Sequence, residues 1–222
     1  MLNVGLTGGI ATGKSTVANM LVRKGACSID FDRLAHELQL PETDVWREIV
    51  ASFGASILNP DKTINRNILG NIVFSAPAQL ALLDGIMYSP IVAAWRDRLS
   101  RISAAAPQAI VISDLPLLVE KGWQDLFDLV LLIYISPEEQ MNRLIKRNGY
   151  TRDYAEKRIA SQMAIDEKVK YAHIVFPNDG TLAETEKKAD ALWEELLARE
   201  AAQRSMTAGA ESFSPGKKND TI

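Results

Sequence analysis

Apolar residues are laid along this chain in two rhythms. Compact runs open at Leu2 and recur at 26–29, 109–113, 129–135 and 172–176. Those at 109–113 and 129–135 are nearly unbroken, as strands covered on both faces of a parallel sheet must be. Elsewhere apolar positions recur at helical spacing, as in Trp46, Ile49, Val50 and Phe53, which reads as the core stripe of a helix. Strands alternating with helices predict an α/β protein with a five-stranded parallel sheet flanked by helices.

Punctuating residues refine these elements. Gly25 stops the first helix, and the short strand after it exits into Asp30-Phe31-Asp32. In open α/β sheets ligands bind outside the carboxyl ends of the strands, so both carboxylates are expected to emerge there. Residues 33–101 hold four or five helical stretches broken at Pro41, at Asn59-Pro60-Asp61, at Pro77 and at Pro90. That length exceeds what a crossover needs and predicts a cap that shapes a second substrate's pocket. Ser136-Pro137-Glu138-Glu139 starts a helix that carries Arg143, Lys146 and Arg147, with a serine cap, a proline in the first position and carboxylates in the first turn. Residues 149–170 are charged and helical and read as a mobile lid. Thr181 caps a final helix with Leu182, Leu192, Leu196 and Leu197 inward, and beyond about Ala202 the composition turns polar enough to predict disorder. One domain over 1–203 results, with core segments 1–32, 108–148 and 171–203, an inserted helical subdomain at about 33–107, a lid at about 149–170 and a tail at 204–222.

Composition narrows the class without changing the architecture. The 222 residues are 47% hydrophobic and 24% charged, with net charge −3 and no basic block, so a duplex-binding footprint is missing and nucleic acid is not an expected partner. No apolar run reaches the length of a membrane span, and Met1 leads directly into a strand pattern. These features predict a cytoplasmic protein without a membrane partner. The single cysteine, Cys27, reads as a small core residue. His36 and His173 are too few and too far apart for a metal site.

The first strand brings in the chemistry, because it ends in Gly8-Gly9-Ile10-Ala11-Thr12-Gly13-Lys14-Ser15 and a helical pattern follows. That is a P-loop in its strand-to-helix setting. A polyphosphate has to be approached by bare backbone, which Gly8, Gly9 and Gly13 permit, and the N–H groups that follow form an anion nest at a helix N-terminus. Gly8, Gly9, Ala11, Thr12, Gly13, Lys14, Ser15 and Thr16 therefore form the expected ATP cradle. Lys14 is placed for the β- and γ-phosphates and Ser15 for Mg²⁺.

Phosphoryl transfer also needs a metal carboxylate, further cations and an acceptor base. Asp114 closes an apolar strand in the usual metal-carboxylate position, Arg143 and Arg147 supply cations, and Asp32 follows the second strand as the base. Asp30 points the other way if the strand persists and reads as structural. Other readings stand beside this one: a nucleoside or nucleotide kinase on the same core, or a non-catalytic nucleotide-binding regulator. A guanine-nucleotide switch is disfavoured, since Asn178-Asp179 lacks an Asn-Lys-x-Asp element.

These residues resemble the dephospho-coenzyme A kinase family from Leu6 to about Asn178. The likeness rests on Leu6-Thr7-Gly8-Gly9-Ile10 with Gly13-Lys14-Ser15, on Ile29-Asp30-Phe31-Asp32 followed by Ala35, and on Pro116-Leu117-Leu118-Val119-Glu120. Arg143, Arg147, Thr151, Arg158 and Gln162 fall where the family has its arginine-bearing helix and lid. The resemblance implies a P-loop NTPase fold with a helical CoA subdomain and a helical lid, and transfer of the ATP γ-phosphate to the ribose 3′-hydroxyl of dephospho-CoA. It further implies Asp32 as base, Arg66, Pro116 and Leu117 in the acceptor pocket, and Arg143 and Arg147 on the nucleotide or transition state. Departures are Ala11-Thr12 for a common Gly-Ser, Asn67 for a second arginine, Tyr88-Ser89-Pro90 for a His-Pro, and His173 for an Asp.

Overall fold

The computed structural model describes residues 1–211. Strands β1 (Leu2–Gly8), β2 (Cys27–Asp30), β3 (Ile110–Asp114), β4 (Leu129–Tyr134) and β5 (Ile174–Pro177) form one sheet in the order β2-β3-β1-β4-β5. β1 runs parallel to β3 and to β4, and β4 runs parallel to β5. Every residue of β1 is buried, as are the first four of β3 and the first five of β4, which is why the latter two read as nearly unbroken apolar runs. In register, Leu6 lies opposite Asp114 and Gly8 opposite Ile133, so the carboxyl ends of three strands converge where the glycine loop begins.

The described residues divide into two compact units, one made of 1–28 with 103–211, the other of 29–102. In the first unit the sheet is flanked by α1 (Lys14–Arg23), and the second unit holds α2 (Phe31–Leu38), α3 (Asp44–Phe53), α4 (Arg66–Ser75) and all but the last three residues of α5 (Pro77–Ala105). The first unit continues with α6 (Pro137–Asn148), α7 (Arg152–Ala160), α8 (Ile165–Lys168) and α9 (Leu182–Glu211). Its core joins Val4, Leu6, Leu131 and Ile133 of the sheet to Val17 and Leu21 of α1 and to Ala189, Leu192 and Leu196 of α9.

Several sequence expectations are corrected here. Leu182 is 62% exposed and Leu197 40% exposed; the buried stripe runs through Ala189, Leu192 and Leu196, and Leu197 lies about 100° further round the helix than Leu196. Helix α9 continues to Glu211, through 204–211 of the expected tail, while 212–222 lie outside the described residues. Cys27 is only partly buried, because its strand lies at the sheet edge. β5 starts at Ile174, later than the expected 172, and His173 sets that start. Its N–H donates to Val130 O at 2.9 Å, and its Nδ1 accepts the Val130 N–H at 2.9 Å. An imidazole nitrogen thus serves as the side-chain acceptor there, as the Asp128 carboxylate does for the Asn3 N–H at 2.7 Å.

The second unit has its own core of Val45, Ile49, Ile57, Ile64, Leu69, Val73 and Ile86, with Trp46 and Phe53 packed against it, so the α3 stripe is core as read. Pro90 does not end a helix. It lies inside the 29-residue α5, although an interior proline removes a hydrogen bond and costs about 3 kcal/mol. Ile91, Val92 and Trp95 just beyond it are buried, and the Trp95 ring meets Phe31 at 5.9 Å; burying side chains of that size returns about 1.5–3 kcal/mol each. By length and composition α5 could also cross a membrane, with a mean hydropathy of 1.2 over its best window. Its Ile86, however, belongs to the core of this unit.

Candidate active site

The glycine loop is held by side chains from three directions. Gly13 caps α1 in the left-handed region at φ 85°, and no side chain caps this helix. The first N–H groups of a helix have no intrahelical acceptor, so the loop presents donors and the positive end of the helix dipole together. Thr12 is buried, and its hydroxyl donates to Gly9 O at 2.9 Å. Asn178, also buried, donates its amide to Thr12 O at 2.8 Å and accepts the Thr185 hydroxyl at 2.7 Å. A Cβ on Gly13 would collide with that Asn178 amide, and one on Gly9 with the Gln140 amide. Close approach therefore favours glycine at both positions, and at Gly13 the left-handed backbone does so as well.

The Ile10 peptide is gripped on both sides. Its carbonyl accepts Gln140 Nε2 at 2.8 Å, and its N–H donates to Gln162 Oε1 at 3.1 Å. Ala11, next along, has φ 61°. This left-handed backbone costs a residue with a Cβ about 1 kcal/mol, so the alanine carries strain that a glycine would not.

Lys14, the first residue of α1, forms an ion pair with Asp114 at the end of β3. The ammonium and carboxylate predicted from separate parts of the sequence thus meet at the carboxyl edge of the sheet. Ser15 and Thr16 follow in the exposed first turn of α1. Asp114 and Ser15 offer one carboxylate and one hydroxyl, a hard-oxygen donor set that suits Mg²⁺ completed by phosphate and water. Among the described residues no cluster of three or more His, Cys, Asp or Glu could hold a metal alone.

Helix α6 begins as predicted, with the Ser136 hydroxyl accepting the Glu139 N–H at 3.2 Å and Pro137 in the first position. It directs Gln140 and, three residues on, Arg143 toward the loop. Arg143 Nη1 lies 4.0 Å from the site of a Gly13 Cβ, and its Nε donates to Glu139 at 2.7 Å. Arg147, one turn later, is exposed, with its Nε donating to Asn148 at 2.8 Å. In the 149–170 stretch, Thr151 caps α7, and α7 carries Arg152, Lys157 and Arg158 exposed. The Tyr134 hydroxyl donates to Asp166 of α8 at 2.8 Å, a bond that raises the phenol pKa above its ordinary value.

In the second unit Asp30 caps α2, its carboxylate accepting the Arg33 N–H at 3.0 Å, which is the structural role expected of it. Asp32 lies in the first turn of α2 and is exposed. His36 is four residues later, hence on the same helix face, and its Nδ1 is 2.6 Å from Arg66 Nη2. The unit thus sets His36, one turn after Asp32, against Arg66. Asn67 and Tyr88 are exposed, and Asn67 donates its N–H to the Asn65 cap of α4 at 3.1 Å. Pro116 and the exposed Leu117 lie in the loop after β3, where the Pro116 carbonyl accepts the Thr7 hydroxyl at 3.1 Å.

Sequence reasoning missed Gln140 and Asn178 as holders of the loop. Each acts through a backbone contact more than a hundred residues away in the chain, so no local pattern points to it.

Comparison with known proteins agrees with this geometry. Residues 2–184 match the CoaE family, described as dephospho-CoA kinase. The dephospho-CoA kinase of Syntrophus aciditrophicus is 47% identical over 97% of this chain and 91% of its own length. That of Geobacter metallireducens is 46% identical over 89% and 98%. Among solved structures, TT1252 from Thermus thermophilus superposes with a TM-score of 0.74 at 32% identity, covering 87% of this chain and 96% of its own. Dephospho-CoA kinase from Campylobacter jejuni gives 0.67 at 26% identity, with coverages of 88% and 96%. With a family match over most of its length and relatives well above 30% identity, the chain belongs to the dephospho-CoA kinase family.

Proposed function

We propose that this protein transfers the γ-phosphate of ATP to the ribose 3′-hydroxyl of dephospho-CoA, giving CoA and ADP in the last step of coenzyme A biosynthesis. It would act as a cytoplasmic enzyme on two small molecules. The observation that carries the reading is the meeting of Lys14 and Asp114 beside the glycine loop, in a chain of this family.

The cradle of Gly8, Gly9, Ala11, Thr12, Gly13, Lys14, Ser15 and Thr16 receives the polyphosphate on backbone N–H groups. Lys14 turns from Asp114 to the transferring phosphate, where a cation stabilises developing charge. Ser15 and Asp114 would hold Mg²⁺, which neutralises charge on the β- and γ-phosphates when bound. Arg143, already beside Gly13, adds a second cation, and Arg147 a third from the next turn. Asp32 accepts the acceptor hydroxyl's hydrogen bond and aligns it for in-line attack. Arg66 of the helical substrate subdomain and Pro116 and Leu117 after β3 bind the acceptor, and residues 149–170 act as a lid that excludes water.

The test is CoA formation from dephospho-CoA and ATP with Mg²⁺, run beside Asp32→Asn. Wild-type turnover is expected, with kcat of the variant lowered about a hundredfold or more and the KM for ATP little changed. No turnover at millimolar dephospho-CoA would sink the assignment, and a variant impaired only in nucleotide binding would move Asp32 to the metal side.

A further inference from the structure

Lys168 is fully buried, at the end of a four-residue helix in a stretch otherwise rich in exposed charge. Its Nζ lies 2.8 Å from Glu120 Oε1 and donates to the Pro116 carbonyl at 3.2 Å. Glu120 Oε1 also accepts the Met163 N–H at 3.1 Å. Glu120 Oε2, by contrast, is buried with no hydrogen-bond partner among the described residues.

Stability does not explain such a pair. Removing two charges from water costs more than their attraction commonly returns, and an apolar pair of similar volume packs as well or better. The orphaned carboxylate oxygen adds a further penalty. What an ammonium and carboxylate provide, and an apolar pair does not, is fixed geometry between the groups they bridge.

Those groups lie beside the site. The Pro116 carbonyl held by Lys168 is the one that accepts the Thr7 hydroxyl, and Thr7 immediately precedes Gly8. Met163, held by Glu120, immediately follows Gln162, which accepts the Ile10 N–H. One ion pair, its lysine fully buried and its glutamate largely so, therefore ties the 162–168 segment to the loop after Asp114, and both ends of the tie touch the strand and loop that carry the phosphate cradle.

We infer that Lys168, through Glu120, is a positioning residue that locks the base of the lid to the Pro116-Leu117 loop and so sets the acceptor side of the site. The inference rests on the dephospho-CoA kinase reading above. Lys168 touches no reacting atom. Its effect falls on the acceptor and on alignment, while Gln140 and Asn178 continue to hold the nucleotide loop without it.

The test compares the full-length wild type with Lys168→Met, Glu120→Gln and the double variant Lys168→Met/Glu120→Met, by thermal melting and by steady-state kinetics in both substrates. Lys168→Met alone leaves a lone buried carboxylate and is expected to melt lower, while the double variant melts close to wild type. The double variant is nevertheless expected to show an acceptor KM raised about tenfold and kcat lowered about tenfold, with the KM for ATP within about twofold, since small misplacements of bound groups cost rate steeply. Wild-type constants in a double variant that melts normally would overturn the inference, as would an equal rise in both KM values. Should the double variant fail to fold, Glu120→Gln decides: a raised acceptor KM supports the role and an unchanged one rejects it. A wild type that makes no CoA refutes the functional assignment itself, and this inference with it.

Discussion

Lys14 and Ala11 show how much single residues carry in the cradle. Lys14 is the cation that meets the carboxylate of Asp114, and in the proposed reaction its removal would take charge from the transferring phosphate. Lys14→Ala is expected to lower kcat by about a hundredfold or more, the scale of losing one preorganised transition-state contact; near wild-type kcat in a rapid-quench assay would reject the role. Ala11 is different, because its side chain is a single methyl and its backbone is left-handed. Ala11→Gly should raise stability by about 1 kcal/mol, seen as a higher denaturant midpoint, with the KM for ATP unchanged. The motif made the identity of these residues legible, but not the positive φ at Ala11. Likewise His36 carried no local signal, since its link to Arg66 spans 30 residues of chain.

At the scale of elements, helix ends were the most readable features. Ser136 and Thr181 were placed by local chemistry, and each hydroxyl accepts an N–H three residues on, as does the hydroxyl of Thr151 at α7. At α9 the cap is reciprocal: Glu184 accepts the Thr181 N–H at 2.7 Å and the Thr181 hydroxyl at 2.9 Å, a capping box. The hydrogen bonds to Thr181, first its backbone N–H and then its hydroxyl, hold the Glu184 carboxyl below its ordinary value. A carboxyl depressed in the folded state adds stability that is present above its unfolded pKa and lost as pH falls through the folded one. Glu184→Gln should therefore flatten part of the acid limb of a melting-temperature profile below about pH 5 while changing little at neutral pH. An unchanged acid limb would show that the box does not matter in solution. Pro90 and Leu197 were misjudged because both depend on what lies against the helix. Proline propensity yields to the burial beyond it in α5, and a leucine's direction in α9 follows from which face meets the sheet.

On the scale of the whole molecule, two cores serve two halves of the proposed chemistry. Leu131, fully buried in β4, belongs to the core under the phosphate loop, and Ile49, also fully buried, to that of the 29–102 unit. Either residue changed to alanine should cost about 2–5 kcal/mol of stability. The functional losses should differ: near the melting onset Leu131→Ala weakens ATP binding first, whereas Ile49→Ala raises the acceptor KM with ATP binding retained. Identical kinetic losses in the two variants would argue that the cores do not act separately. Strands, helix caps, the phosphate loop and the candidate carboxylates are legible along the chain, because each is written in periodicity or in contacts a few residues apart. Strand order, the pairing of Lys14 with Asp114, the grip of Gln140, Gln162 and Asn178 on the loop, and the burial of Lys168 against Glu120 arise in the folded molecule. Those contacts join residues that no local rhythm relates, and they form only where packing brings distant segments within a hydrogen bond of each other.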